Sequence, residues 1–89
     1  MARNRIVVGS FGDGSDARAT AHRLRDAGHE VVLVGGGQSP EQLLRTAVAE
    51  DASRIVVVGD GHEAGAALAR LRTLTGELGV DAPEVGTSV

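Results

Sequence analysis

Three short apolar runs alternate along the chain with longer segments of helical periodicity. The runs are RIVVG (residues 5–9), EVVLVG (30–35) and RIVVVG (54–59), and each is rich in β-branched residues. Continuous apolar runs of this length are typical of strands that are buried on both faces of a parallel sheet. A fourth run, PEVGTSV (83–89), predicts a further short strand, although its glycine weakens the pattern.

The segments between the runs predict three helices. Gly28 and Gly79 stand where glycine commonly ends a helix. The second helix opens with Ser39 as N-cap, Pro40 in the first helical position and Gln42 completing a capping box. The residues expected to face the sheet are Ala17, Thr20, Ala21, Leu24 and Ala27 in the first helix, Leu44, Ala47 and Val48 in the second, and Ala64, Ala67, Leu68, Leu71, Leu74 and Leu78 in the third.

This order of elements predicts one α/β domain. Three successive strand–helix units with short joints favour right-handed crossovers and helices on both faces of a parallel sheet. We therefore expect a flavodoxin-like, or Rossmann-like, three-layer fold whose sheet has three to four strands. In such sheets ligands bind beyond the carboxyl ends of the strands, where the strand order reverses.

Glycine-rich loops follow the first three predicted strands. They are GSFGDGSD (9–16), GGGQS (35–39) and GDGHEAG (59–65). Glycines at this edge let the backbone approach a ligand closely, although glycine is also the default residue of a tight turn. We expect any ligand to contact residues 10–16, 35–38 and 59–63.

Composition excludes several classes of function. The net charge is −3 at pH 7, and a single phenylalanine is the only aromatic residue, which disfavours nucleic acid and a flavin. Cysteine and lysine are absent, which excludes a thiol nucleophile and a Schiff base. The sequence shows no secretory signal and no apolar run long enough for a membrane span, so we expect a cytoplasmic protein without a membrane partner.

The stretches RIVVGSFGDGSDARATAHRLRDAGHEVVLVG and QSPEQLLRTAVAEDASRIVVVG, followed by the Ala- and Leu-rich third helix, carry a resemblance that covers nearly the whole chain. They resemble the cobalamin-binding domain of the methylmalonyl-CoA mutase family. That family has a flavodoxin-like sheet and an Asp-x-His-x-x-Gly motif after its first strand. The motif's histidine is the lower cobalt ligand, and its aspartate hydrogen-bonds that histidine. The resemblance therefore implies cobalamin as a possible cofactor.

Several positions depart from the family pattern. Asp13 matches the motif's aspartate, but Ser15 stands in place of the histidine and Arg18 in place of the closing glycine. Gly59-Asp60-Gly61 replaces the family's Ser-x-Leu segment, and its later double-glycine turn and fifth strand have no counterpart. A serine hydroxyl is a weak cobalt ligand, so we expect histidine-on binding to be weak or absent. The predicted cofactor-binding residues are Asp13, Gly14, Ser15, Gly35, Gly36, Gly59, Asp60 and Gly61, with no metal ligand assigned and His62 as an alternative candidate ligand.

Other interpretations of these residues stay open. Asp13, Ser15 and Asp16 together suit the N-cap of the first helix, and His22 and His29 fit structural or exposed positions. GDGSDA (12–17) matches the dinucleotide fingerprint, but no acidic residue follows the second strand to bind a ribose. A phosphoacceptor receiver would need a lysine, which the chain lacks.

Two classes of function fit this pattern. One is a small binding or accessory subunit that serves a larger, mutase-like catalytic partner. The other is a degenerate homologue that has lost cobalamin and acts as a regulatory or protein-interaction module. Independent catalysis is not expected, because no nucleophile–base pair has a supporting spacing. A short sheet with open edges predicts a homodimer or a heteromer with a larger subunit.

Overall fold

A computed structural model of the protein describes residues 5–12, 14–59, 61–79 and 82–87, with the backbone alone described for residues 61–64. The elements in chain order are β1 (Arg5–Ser10), α1 (Ser15–Asp26), β2 (Glu30–Gly35), α2 (Pro40–Ala49), β3 (Arg54–Val58), α3 (Gly61–Leu78) and β4 (Glu84–Thr87). All three helices and the three principal strands were predicted. Each of these strands begins and ends within one residue of the predicted run. The fourth run also forms a strand.

The four strands form one parallel sheet in the order β2-β1-β3-β4. This arrangement confirms the predicted α/β fold with a flavodoxin-like three-layer architecture. The order runs outward from β1 in one direction to β2 and in the other to β3. The reversal of strand order therefore lies between β1 and β3, and this switch point is where the fold type places ligands.

Alternate residues of β1 enter two separate cores. Val7 packs with Ile55 and Val57 on the face that α2 and α3 cover, and the helices add Leu43 and Leu71. On the opposite face, which α1 covers, the core residues are Ile6, Val8, Ala17, Val56 and Val58. Both faces of β1 and β3 are thus buried, which explains why their sequences are apolar without alternation.

The face of α2 that packs on the sheet differs in part from the prediction. Ala47 is buried and Leu44 packs half-buried against the core, as expected, but Val48 is 58% exposed and Leu43, which was not predicted to face the sheet, is fully buried. Gly9 explains why Leu43 packs on the sheet, because a Cβ atom at this position would lie 2.5 Å from Leu43 Cδ2. The absence of a side chain on β1 thus makes room for Leu43, and this contact rotates Val48 toward solvent.

The ends of the other two helices also correct the prediction. The predicted cap of α1 was Asp13 with Asp16 three residues later and Ser15 within that turn, whereas the N-cap residue is Gly14, which has no side chain to make a cap hydrogen bond; Asp13 lies outside the described residues. Ala27 is the C-cap of α1 and is exposed. Leu78, in the last turn of α3, is 51% exposed. In the part of the chain that is described, no helix, α3 included, has the length and apolar character to cross a bilayer.

Charged side chains follow the amino-terminal edge of the sheet. The Arg5 guanidinium contacts Glu30 at 2.7 Å and Glu50 at 3.4 Å, and Arg54 lies 3.9 Å from Glu84. The hydrogen bond to Glu30, followed by the charge of that carboxylate, raises the pKa of Arg5. These pairs are solvent-exposed and contribute little to stability. The amino-terminal edge of the sheet is therefore charged, whereas its carboxyl edge is rich in glycine.

Candidate functional site

The candidate site lies at the carboxyl edge of the sheet, where three loops meet. Loop 1 (residues 11–14) follows β1, loop 2 (36–39) follows β2, and loop 3 (59–60) follows β3. Because β1 lies between β2 and β3, loop 1 has loop 2 on one side and loop 3 on the other. Asp13 and Asp60 were predicted to belong to the site and lie outside the described residues.

Backbone hydrogen bonds tie loop 2 to the end of β1 and to loop 1. The amide of Gly37 donates to the carbonyl of Gly12 at 2.7 Å, and the amide of Gln38 donates to the carbonyl of Ser10 at 3.0 Å. The Gln38 side-chain amide donates to the carbonyls of Val34 and Gly36 at 3.2 and 3.3 Å. These amides are occupied within the protein, so they are not free donors for an anionic ligand.

Gly14 and Gly36 lie against each other where these loops meet. Gly14 has a φ of +89°, and a Cβ atom on it would lie 2.6 Å from the Gly36 amide nitrogen. Only glycine combines this left-handed conformation with such a close backbone contact. Gly14, Gly35 and Gly36 were predicted to bind a ligand, and here they bring one loop against the other.

The same contact bears on the dinucleotide interpretation. In that fingerprint the second glycine lets the backbone approach a pyrophosphate. Gly14 holds that position in GDGSDA, and the backbone it approaches is that of Gly36. Ala17, in the first turn of α1, is fully buried against the sheet, as the last position of the fingerprint requires, but this also suits simple helix packing. The local geometry therefore favours loop packing over a pyrophosphate site.

The other side of loop 1 faces the switch point. Ser10, the last residue of β1, is only 5% exposed, and its Oγ accepts a hydrogen bond from the Gly12 amide at 2.9 Å. Cβ atoms on Gly12 and Gly59 would lie 3.7 and 3.9 Å from this oxygen. The Ser10 hydroxyl is thus placed between two residues without side chains, one from loop 1 and one from loop 3.

Ser10 lies within the range of residues 10–16 that we expected a ligand to contact, but it was not among the eight predicted cofactor-binding residues. In the sequence, Ser10 looks like any polar residue that follows an apolar strand. Only the strand order, which the structure provides, shows that it lies at the switch point. Two features of the sequence could have indicated Ser10. It lies between Gly9 and a glycine-rich loop, and Gly59 follows the third strand.

Ser15 occupies the position at which the resembling family has its cobalt ligand. It is the first residue of α1 and is exposed. A hydroxyl oxygen there does not replace an imidazole nitrogen as a cobalt ligand. Arg18, at the position of the motif's closing glycine, is an exposed residue one turn later. The described residues therefore do not fit a histidine-on cobalamin complex.

The remaining histidines and acids do not supply an alternative metal centre among the described residues. No group of three His, Cys, Asp or Glu side chains in that part of the protein is arranged to hold a metal ion. His22 is exposed on α1, and His29 lies at the opposite edge, directly before β2. His62 lies in the first turn of α3, and its side chain is outside the description, as is that of Asp60.

Among the described residues, shifted pKa values occur at Glu41 and at Arg5. The pKa of Glu41 is lowered, first by a hydrogen bond from its own backbone amide and then by the Arg70 side chain. The contact between Arg70 Nε and Glu41 Oε2 is 3.3 Å and joins α2 to α3 on the surface. The other shifted group, Arg5, lies at the amino-terminal edge. The pKa of Arg5 is raised by its carboxylate partners, whereas the pKa of Glu41 is lowered first by its own backbone amide and only then by Arg70.

No protein-family model matches the chain, and the comparison with curated proteins gave no match either. The described residues form a flavodoxin-like parallel sheet in which loop 2 is hydrogen-bonded to loop 1 and to the end of β1. At the switch point between β1 and β3, the Ser10 hydroxyl lies near Gly12 and Gly59.

Proposed function

We propose that the protein is a non-catalytic binding module that serves a larger partner and holds its ligand at the switch point between β1 and β3. The observation that carries this proposal is the buried Ser10 hydroxyl between Gly12 and Gly59. Larger side chains at those glycines would contact and cover the oxygen. The position coincides with the place where doubly wound sheets bind ligands.

A binding role agrees with the chemistry of the described residues better than an enzymatic one. Ser10 accepts a hydrogen bond from the Gly12 amide, and among the described residues no hydrogen bond joins its hydroxyl to a basic side chain. Lysine and cysteine are absent from the whole chain. A hydroxyl flanked by two glycines can orient a polar group of a ligand, but activation as a nucleophile needs a neighbouring base.

Cobalamin is the ligand class we propose to test first, because the resemblance to the cobalamin-binding domain spans nearly the whole chain. With Ser15 at the position of the cobalt ligand, the protein would hold the cofactor weakly and with its own base still attached. Equilibrium dialysis and the absorption spectrum after desalting with hydroxocobalamin measure both properties. The parent protein is expected to give no histidine-on spectrum.

Ser15→His tests the loop directly. The substitution places an imidazole at the start of α1, and we expect it to tighten cobalamin binding at least tenfold and to displace the cofactor's base. Ala19→His is the matched control, because it adds a histidine to an exposed position one turn further along α1. A gain with both variants would indicate nonspecific ligation. A parent that already gives a histidine-on spectrum, abolished in His62→Ala, would identify His62 as the ligand and refute the base-on proposal.

The open edge of β4 favours a second candidate, a protein-interaction module without a small-molecule ligand. Among the described residues β4 has a neighbouring strand on one side only. A Ser15→His variant that folds normally but gains no affinity would favour this second function. In that case the loop has lost the rest of the cobalamin pocket as well as its histidine.

A further inference from the structure

The Ser10 hydroxyl has a hydrogen-bond donor that the described residues do not use. A serine hydroxyl can donate one hydrogen bond and can also accept. Ser10 Oγ accepts a hydrogen bond from the Gly12 amide at 2.9 Å, and among the described residues its proton is donated to no acceptor. Since Ser10 is only 5% exposed, a ligand that brings an acceptor oxygen to the switch point would satisfy this donor.

The backbone amides around the switch point provide little for an anion. Anion sites in folds of this type are built from backbone N–H groups that the protein leaves free. Here the Gly12 amide donates to Ser10 Oγ, and the Gly37 and Gln38 amides donate to carbonyls in loop 1 and at the end of β1. These three donors are therefore not available to a phosphate.

The loops at this edge also contain no cationic arginine or lysine. Loops 1, 2 and 3 have no arginine in their sequences, and lysine is absent from the chain. The first arginine after loop 1 is Arg18 in α1. Arg25, two turns later on the same flank of this helix, donates to the Val31 carbonyl of β2 at 3.4 Å. Arg18 therefore lies on the β2 side of α1, away from the switch point between β1 and β3.

Carboxylates are the charged groups of this edge. Asp16 is exposed in the first turn of α1, at the positive end of the helix dipole. It comes two residues before Arg18, about 200° around the helix, so it lies on the opposite flank, toward β3. In the sequence, Asp13 belongs to loop 1 and Asp60 to loop 3. An anion that approaches the switch point is therefore repelled by several charges of its own sign.

We propose that the switch point accepts an uncharged ligand with a carbonyl oxygen, such as a carboxamide, and excludes phosphates and other anions. This inference rests on the proposed function, because it specifies the ligand of the same site. The Ser10 hydroxyl donates to the carbonyl oxygen, and the carboxylates of this edge repel a ligand of like charge. A neutral amide satisfies both conditions, whereas a phosphate satisfies only the first and a simple cation only the second.

Two corrinoids provide a matched pair of probes. In excess cyanide, dicyanocobinamide is uncharged and carries several carboxamide side chains. Dicyanocobalamin has the same corrin and the same axial ligands, but its nucleotide adds a negatively charged phosphodiester. Cyanide occupies both axial positions of the cobalt in each probe, so ligation of the metal by the protein does not affect the comparison.

Equilibrium dialysis of the 89-residue chain against each probe tests the proposal. Dicyanocobinamide is expected to bind about tenfold more tightly than dicyanocobalamin, because several nearby carboxylates repel the phosphodiester through water. The difference should decrease in about 1 M salt, because salt screens this repulsion but does not relieve a steric clash with the nucleotide. Equal affinities would refute the exclusion of anions and leave the proposed binding function intact. Binding of neither probe would refute both.

Asp16→Asn separates the effect of charge from that of shape. The substitution removes one negative charge with almost no change in size, so dicyanocobalamin should bind about two- to threefold more tightly and dicyanocobinamide as before. Asp26→Asn, an exposed substitution at the other end of α1, is the matched control and should change neither affinity. An equal change for both probes with Asp16→Asn, or no change for dicyanocobalamin, would contradict the electrostatic argument.

Ser10→Ala tests the donor. The loss of one hydrogen bond to an uncharged acceptor should weaken the binding of dicyanocobinamide roughly three- to tenfold. Ser53→Ala is the matched control, because it removes a half-buried hydroxyl that donates to the Arg5 carbonyl at the opposite edge of the sheet. In NMR spectra of the parent, the amide signals of Gly12 and Gly59 should shift when dicyanocobinamide binds, and this measurement holds even if Ser10→Ala does not fold. Unchanged affinity of a folded Ser10→Ala variant, or unshifted signals with the probe bound, would overturn the assignment of Ser10 as the donor.

Discussion

Gly14→Ala is expected to separate the conformational from the packing role of glycine at the candidate site. Gly14 has a φ of +89° and lies against the Gly36 backbone. Gly79, after α3, has nearly the same φ, +88°, but a Cβ atom on it would meet nothing within 4 Å. Alanine at either position incurs the same left-handed penalty, and only at Gly14 does it also collide with another loop.

The expected magnitudes follow from this pair. The left-handed conformation costs a non-glycine residue about 1–2 kcal/mol, which is the whole effect expected for Gly79→Ala. At Gly14 the Cβ atom would lie 2.6 Å from a backbone nitrogen that a side-chain rotation cannot move. Forcing the backbones apart adds about 1–3 kcal/mol, which is typical of overpacking. For a chain of this length the total stability is about 4–13 kcal/mol, so the difference between the variants is measurable.

Urea unfolding followed by circular dichroism measures the two free energies of unfolding. Hydrogen exchange localises the effect, because the Gly37 amide donates to the Gly12 carbonyl and should lose protection in Gly14→Ala alone. Equal destabilisation by the two substitutions, with Gly37 protection retained, would show that loops 1 and 2 are not held together as described.

Two further predictions concern the helix packed beside the site and its surface charge. Leu43→Ala should lower the free energy of unfolding by about 2–5 kcal/mol, because Leu43 is fully buried. Val48→Ser should change it by less than about 0.5 kcal/mol, because Val48 is exposed. Thermal and urea unfolding measure both values, and similar losses for the two variants would contradict the assignment of the buried face. The lowered pKa of Glu41 means that its contribution to stability is present above the ordinary pKa of a glutamate and is lost as the pH falls through the lowered value. Arg70→Gln should raise the Glu41 pKa toward the ordinary value in an NMR titration, and an unchanged titration would show that the backbone amide alone sets it.

The strand pattern and the cap of α2 were predictable because each depends on local sequence. The apolar runs are buried on both faces of the sheet, and Ser39 and Gln42 form the capping box that their spacing predicts. The orientation of α2 was not predictable, because Leu43 and Ala47 have the same spacing as Leu44 and Val48. Which of these two pairs faces the sheet depends on Gly9, a residue more than thirty positions away, because its lack of a side chain leaves room for Leu43.

The position of the three glycine-rich loops was predictable, but their mutual contacts were not. Each loop follows a strand of one parallel sheet, so all three lie at its carboxyl edge. The sequence alone did not show that the amides of Gly37 and Gln38 donate to the carbonyls of Gly12 and Ser10, which are far away in the sequence. Because these amides of loop 2 are occupied, the proposed ligand site lies at Ser10 and Gly59 and not at the GGG segment.

The proposed ligand site and the open edge of β4 use different parts of the same sheet. β3 separates the switch point from β4, which among the described residues has a neighbouring strand on one side only. A protein partner that pairs with β4 therefore covers neither Ser10 nor the loops around it. The second candidate function, a protein interaction through β4, is for this reason compatible with a ligand held between β1 and β3.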